Sequence, residues 1–239
     1  MNTANPDQVE IDRQVTIQNR EKLNQNGNLL YWYEQLYRHQ FAAITNISQK
    51  RILEIGSGTS PLKRFYPYVI TSDLLQLDYL DYVFDCHEID QFEAIPDASL
   101  DVITLTNVLH HLGDPVEFLR KAAVKLKGGG RIIATEPEFS VLSKPIYEKI
   151  HHEGVDFNLA EPKLADIEGP LASANIALPY LIFKKRKEWT VPLEADYEMP
   201  VQLRPFTGVS YMYTGGISRK IPVPRCLYRL IFAFDALLA

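Results

Sequence analysis

The run Glu54-Ile55-Gly56-Ser57-Gly58 sets two glycines one residue apart at the end of an apolar stretch. Glycine has no Cβ, so a turn built this way lets backbone approach a ligand closely and take up dihedrals that other residues avoid. Two further short apolar runs are each closed by one acidic residue, Asp73 after Tyr68–Ser72 and Asp85 after Tyr82–Phe84. A carboxylate in that place either caps the next turn or accepts hydrogen bonds from a ligand. Histidines form the third group: His110-His111 after the run Asp101–Thr106, and His151-His152-Glu153 further on. Imidazole titrates near neutral pH, which suits it to taking a proton from a hydroxyl. Adjacent residues on a helix point about 100° apart, so His151 and His152 are not expected to chelate one ion, and no metal site is expected there.

These residues need a frame that brings strand ends together. Residues 1–28 are polar and read as a loosely ordered arm with at most a short helix. Leu29, Leu30, Trp32, Tyr33, Leu36, Tyr37, Phe41 and Ile44 recur at helical spacing, giving a cap helix within 29–50 with one broad apolar face. Arg51–Ile55 reads as a strand, and Ser60-Pro61 as a helix start. Tyr68–Ser72, Tyr82–Phe84 and Asp101–Thr106 are strands by composition. Asp114-Pro115-Val116-Glu117 opens a helix that is expected to stop at Gly128-Gly129-Gly130, ahead of a strand at Arg131–Thr135. Strands alternating with helices predict an α/β, doubly wound, mostly parallel sheet covered on both faces.

After Glu136-Pro137 the alternation breaks. A segment this long outside a core sheet is expected to shape the substrate site. Ala177–Phe183 is expected to return as a strand, with parts of Leu193–Arg204 beside it. The chain thus reads as one domain over 29–239, with a cofactor-binding half at 51–137 and a substrate-shaping half at 138–239.

Composition narrows the function. The formal charge of −5 disfavours a broad basic surface for nucleic acid. Two cysteines, Cys86 and Cys226, imply no disulfide framework and suit a cytoplasmic protein. The last apolar stripe, Leu227 to Leu238, is too short to span a bilayer; it suits core packing, a subunit contact or weak adhesion to a membrane surface. Oligomeric state is not written in these residues. The glycine turn alone fits several nucleotides. A dinucleotide fingerprint wants a third glycine where Pro61 stands, and no Gly-Lys-Ser/Thr follows as a phosphate-binding loop would require.

In order and spacing these motifs resemble the class I S-adenosylmethionine-dependent methyltransferases, in their broad small-molecule branch. The resemblance covers about Arg51 to Pro137. Leu53–Gly58 is similar to the family's first motif, Ser72-Asp73-Leu74 to the second and Asp85-Cys86 to the third. Pro96–Asp101 leads into a fourth that includes Asn107–Leu112, and Leu126–Arg131 is similar to the turn before the fifth strand. Ser60-Pro61 departs from the small residue common in the first loop.

The resemblance implies a seven-stranded Rossmann-like sheet and S-adenosyl-L-methionine as cofactor, giving S-adenosyl-L-homocysteine. It also implies cofactor contacts at Glu54, Gly56, Ser57, Gly58, Asp73, Leu74, Asp85, Cys86 and Asn107, with Asp73 on the ribose and Asp85-Cys86 on the adenine. His111, His151 and His152 are the catalytic candidates; Tyr33 and Glu153 are the candidates for acceptor contact. The expected acceptor is a small or lipid-linked molecule rather than a nucleic acid, with oxygen favoured as the atom methylated. A nicotinamide-dependent oxidoreductase and a non-catalytic nucleoside-binding module are the alternatives on the same sheet.

Overall fold

The computed structural model describes residues 6–139, 144, 153–164, 169, 171, 173–207, 209–217 and 223–238. Its centre is a parallel sheet of β1 (Ile52–Ile55), β2 (Ile70–Asp73), β3 (Tyr82–Val83), β4 (Leu100–Thr106) and β5 (Leu126–Thr135) in the order β3-β2-β1-β4-β5. All four residues of β1 are buried, as a strand with neighbours on both edges and layers on both faces requires. The chain winds outward from β1 through β2 to β3, then crosses back to β4 on the other side. That reversal between β1 and β4 opens a crevice at the carboxyl ends of the strands, where ligands of such sheets bind.

Two layers cover the sheet. One centres on Leu53, Ile103, Leu105, Leu109, Phe118 and Leu119. The other centres on Leu29, Trp32, Leu36, Tyr37, Ile52 and Val102. The second layer is built by α2 (Gly27–Gln40), which Asn26 caps by accepting from the amides of Asn28 and Leu29. This helix is shorter than the expected 29–50 span, because after Phe41 the chain turns and forms only a 3-10 turn at Ile47–Gln49. The short helix α3 (Leu62–Phe65) packs into the same layer, and α4 (Pro115–Ala123) lies on the other. Asp114 caps α4 by accepting from the Glu117 amide at 2.9 Å, as the sequence suggests.

The structure corrects several expectations. Residues 6–25, read as a loose arm, form a 20-residue helix, α1 (Pro6–Gln25). Its buried positions are only Asp12, Thr16 and Leu23, two of them polar, so no apolar stripe announces it. The first helix after β4 ends at Ala123, not at the glycines, and Gly128–Gly130 lie inside β5. Pairing jumps from Leu100↔Leu126 to Val102↔Arg131, so the glycines bulge out of register, with Gly129 at φ 77°.

Five strands occur among the described residues, against the seven expected. Ala177–Phe183 is not a strand; it is α5 (Ala177–Tyr180) running into a π-helical turn, Leu181–Lys185. Ala177, Leu178, Leu181 and Ile182 are all buried, a spacing of one and four that suits a helix face. Leu193–Arg204 supplies no strand either, since 187–193 is a 3-10 helix followed by turns. The last helix, α6 (Arg225–Leu238), buries Tyr228 and Phe232 against the α2 layer and leaves Leu230, Phe234 and Leu237 exposed. No helix among the described residues is long and apolar enough to cross a membrane.

Candidate active site

The crevice is built from the ends of β1, β2, β4 and β5. At β1 the chain turns through Gly56 at φ 72°, and a Cβ there would lie 2.4 Å from Cγ2 of Val108. The turn after β1 therefore packs directly on the turn after β4, and only glycine permits it. Gly58 donates its amide to Asp73 Oδ2 at 2.9 Å, while Asp73 Oδ1 accepts from the Leu75 amide at 3.0 Å. The carboxylate at the end of β2 is thus held against the glycine turn. Burial raises its pKa, and the amide hydrogen bonds oppose that rise.

α1 closes over this turn. Arg20 donates to the carbonyls of Ser60 at 2.8 Å and Gly58 at 3.3 Å, and its guanidinium lies 4.0 Å above the ring of Tyr79. Tyr79 donates to the same Gly58 carbonyl at 2.7 Å. Asp12, further up the helix, accepts from the Leu171 amide at 2.9 Å.

Glu54 lies beneath the turn, 1% exposed. Its Oε1 accepts from the Ser60 hydroxyl at 2.5 Å, and its buried Oε2 has no hydrogen-bond partner among the described residues. Burial raises its pKa from 4.5 to about 7, against the opposing pull of Ser60, Ser57 and Arg20. Asp73, Tyr33 and Tyr37 are the other titratable groups close enough to interact with it.

A carboxyl with a raised pKa keeps its proton in the folded chain after the unfolded chain has lost it. Its contribution to stability therefore falls as pH rises from 4.5 toward 7. Glu54→Gln removes that dependence. The melting temperature of the unliganded wild type minus that of the variant should decline from about pH 5 to about pH 7 and then level off. A difference that stays flat across the window would return Glu54 to an ordinary carboxyl.

The second half of the crevice is a chain of histidines and carboxylates. After β4 the backbone passes through Asn107 at φ 57°, whose amide donates to the Thr135 carbonyl at 2.8 Å, into the 3-10 turn Leu109–His111. Glu136, just beyond β5, fixes this turn. Its Oε1 accepts from the amides of Val108 at 2.9 Å and Leu109 at 2.8 Å, and its Oε2 pairs with His110 Nδ1 at 2.5 Å. The other nitrogen of His110 is 3.4 Å from Glu153 Oε2. His111 Nδ1 donates to the Ser173 carbonyl at 3.0 Å, and its Nε2 is 3.8 Å from Glu153 Oε1.

Backbone bonds bring Glu153 to this place. Asn175 donates its amide to the His110 carbonyl at 2.9 Å, and Ile176 donates to the Gly154 carbonyl at 3.0 Å. Burial alone would depress the pKa of His110, but Glu136 and Glu153 outweigh it and raise it to about 9. Burial lowers the pKa of His111, and the neighbouring His110 lowers it further.

The structure thus gathers Glu54, Gly56, Ser57, Gly58, Asp73, Asn107, His111 and Glu153 around one crevice. Leu74, the residue after Asp73, is 45% exposed. Asp85 stands after β3, accepting from the His87 amide at 2.9 Å and pairing with His87 Nδ1 at 2.8 Å. Burial and the charges of Asp85 and Asp73 push the Cys86 thiol up. Tyr33 is buried within the α2 layer, its ring edge-on to Trp32 at 5.3 Å. His151 and His152 lie outside the described residues.

Sequence reasoning grouped Glu153 with those two histidines, whereas its carboxylate faces His110 and His111. It also missed Glu136 and Tyr211, and it singled out His110 beside His111 without joining the pair to Glu153. The Tyr211 ring packs on Trp32 at 4.9 Å, close enough to Glu153 and Tyr33 to act on both electrostatically. Glu136 had one available signal: an acidic residue directly after a strand, at the sheet edge where the other motifs converge. Because Gly56 has both a positive φ and Val108 against it, Gly56→Ala should lower stability by about 1–2 kcal/mol and reduce nucleoside affinity. Melting curves with and without S-adenosylhomocysteine measure both effects.

A family model described as a methyltransferase domain matches residues 30–168. No curated protein matches the chain. Among solved structures, a SAM-dependent methyltransferase from Archaeoglobus fulgidus is 21% identical, with 48% of this chain and 58% of that one covered and a TM-score of 0.36. The YcgJ protein of Bacillus subtilis is 18% identical, with 81% and 82% covered and a TM-score of 0.36. The methyltransferase CalH, solved with SAH, is 17% identical, with 46% and 40% covered and a TM-score of 0.33. The chain spans 52%, 40% and 35% of the length of the first three solved structures it matches. The family match takes in β1 to β5, the glycine turn, Asp73 and the histidine–carboxylate cluster up to Glu153, and the chain belongs to the methyltransferase-domain family.

Proposed function

We propose that this protein transfers the methyl group of S-adenosylmethionine to an oxygen atom of a small-molecule or lipid-linked acceptor, leaving S-adenosylhomocysteine. The observation that carries this reading is the contact of Gly56 with Val108, which sets the glycine turn beside the His110–His111–Glu153 cluster. The residues fit the cofactor. Glycine at 56 and 58 lets the turn pack against Val108, Thr16 and Asp73, Glu54 keeps a buried oxygen without a hydrogen-bond partner among the described residues, and Asp73 presents a fixed carboxylate. Asp73 would hold the ribose hydroxyls, and Asp85 with the Cys86 amide would hold the adenine. When bound, S-adenosylmethionine supplies an activated methyl group on a cationic sulfur.

The chain's own task is then to place the acceptor and receive its proton. Placement can contribute roughly 7–11 kcal/mol at its upper limit. Ser173 fixes the ring of His111 with hydrogen on Nδ1, so Nε2 offers a lone pair that can take the hydroxyl proton. Glu153 faces that nitrogen and can orient the ring or the acceptor. Tyr211 packs on Trp32 of α2 and is close enough to Glu153 to act on it electrostatically.

The test is transfer of labelled methyl from S-adenosylmethionine to a panel of hydroxylated small molecules and a lipid extract, with amines and carbon acids alongside. O-methyl products identified by mass spectrometry are the expected result. Label found only on nitrogen or carbon acceptors would overturn the oxygen assignment, and no transfer to any class would overturn the activity.

A further inference from the structure

We infer that His110, His111 and Glu153 form a binding site for one divalent cation of the zinc type. The cation would be held by the two Nε2 atoms and the Glu153 carboxylate. Each residue offers one ligand atom, and all of these atoms lie within 4.8 Å of one another. Bonds of about 2.0–2.1 Å at tetrahedral angles put neighbouring ligand atoms about 3.4 Å apart. The separations here are 3.4 Å from His110 Nε2 and 3.8 Å from His111 Nε2 to the two oxygens of Glu153. The span suits one ion between them.

The surroundings of the rings point the same way. Metal-binding histidines engage their other nitrogen with a carboxylate or carbonyl, which fixes the ring and strengthens the ligand. Both histidines do so: His110 Nδ1 pairs with Glu136, and His111 Nδ1 donates to the Ser173 carbonyl. That leaves both Nε2 atoms directed at one carboxylate. Neighbouring side chains on a regular helix diverge, but these two leave a 3-10 turn with ring centroids 4.3 Å apart and planes at 39°. The third ligand arrives on a separate segment, tied in by the Asn175–His110 and Ile176–Gly154 backbone bonds. Two imidazoles and one carboxylate suit zinc, iron or copper better than magnesium or calcium.

Three protein ligands leave a coordination position for water or a hydroxyl, which is the arrangement of catalytic zinc rather than structural zinc. The role of the cation rests on the methyl-transfer reading: an acceptor hydroxyl bound there would lose its proton more readily, giving it to solvent water, while His111 Nε2 would hold the cation in place of taking that proton itself. The binding itself does not depend on that reading.

The test reads the metal directly. The full chain, stripped with chelator and desalted, is loaded with Zn²⁺ or Co²⁺. Retention is measured by elemental analysis and the Co²⁺ site by its visible absorption. The expected result is about one cation per chain. In Glu153→Gln and His111→Ala affinity should fall by at least about 100-fold, at or beyond the range seen for outer-shell losses. Retained S-adenosylhomocysteine binding in the same variants shows that they are folded.

His87→Ala addresses the second histidine-containing cluster among the described residues, Asp85, Cys86 and His87, and should leave retention unchanged. No retention by the wild type would overturn the inference. So would a cation lost from His87→Ala but kept by Glu153→Gln. Chelator-resistant methyl transfer by a chain that retains no metal would retire the cation and leave the proposed activity standing. One cation per chain without transfer to any acceptor would support the site and retire the activity.

Discussion

Asp73→Ala is expected to weaken binding of S-adenosylhomocysteine by about 1.5–3 kcal/mol, the range for a hydrogen bond to a charged group. The carboxylate is fixed by two backbone amides, one of them in the glycine turn itself. Each of its oxygens keeps a lone pair for a second donor, so two vicinal hydroxyls can be held without rearrangement. Its removal also frees the Gly58 amide, and the turn loses a restraint at the point where Arg20 and Tyr79 grip the Gly58 carbonyl. Titration calorimetry on Asp73→Ala and Asp73→Asn separates the two losses. The asparagine can keep one amide contact and should recover stability more than affinity. Unchanged affinity in a folded Asp73→Ala protein would place the ribose elsewhere.

His111→Ala should lower turnover by about 100-fold or more while leaving S-adenosylhomocysteine affinity nearly intact, the size expected when Nε2 is lost, whether it takes the proton itself or holds the cation that eases its release. The ring is 14% exposed at its side chain, so a packing role is the competing explanation. His111→Asn separates the two. Its amide can still donate to the Ser173 carbonyl, but nothing replaces Nε2. If the ring only packs, asparagine should restore both melting temperature and turnover. If Nε2 carries the chemistry, asparagine should restore the melting temperature alone.

Much of the glycine-turn half of the crevice was legible in the sequence because its signals are local. A glycine turn after an apolar run, and acidic residues closing the next two, mark strand ends without reference to the rest of the chain. The Asp114 cap of α4 was legible for the same reason. The histidine–carboxylate half was not, because it is assembled by contacts between distant positions. Glu136 and His110 are 26 residues apart, and His111 and Ser173 are 62 apart. Neither pair leaves a pattern within a single element.

α1 escaped because its buried face consists of Asp12, Thr16 and Leu23, so its helix is held by polar contacts that hydrophobic periodicity does not report. Ala177–Phe183 misled for the opposite reason. A short run that is apolar throughout fits a buried strand and a buried helix equally well.

Glu136 has no isostere. One oxygen receives two backbone hydrogens and the other receives the hydrogen of His110 Nδ1, so both ends of the side chain must accept. Glutamine can turn its amide toward the backbone donors and oppose two hydrogens with its own. Or it can turn the amide toward the ring, which must then carry its hydrogen on the far nitrogen, facing Glu153. In that second arrangement the ring gives up its Nδ1 hydrogen and its positive charge. Position 136 therefore anchors a ring that carries hydrogen on both nitrogens, one facing Glu136 and one facing Glu153, and an amide there supplies neither the charge nor the three acceptor contacts that hold it.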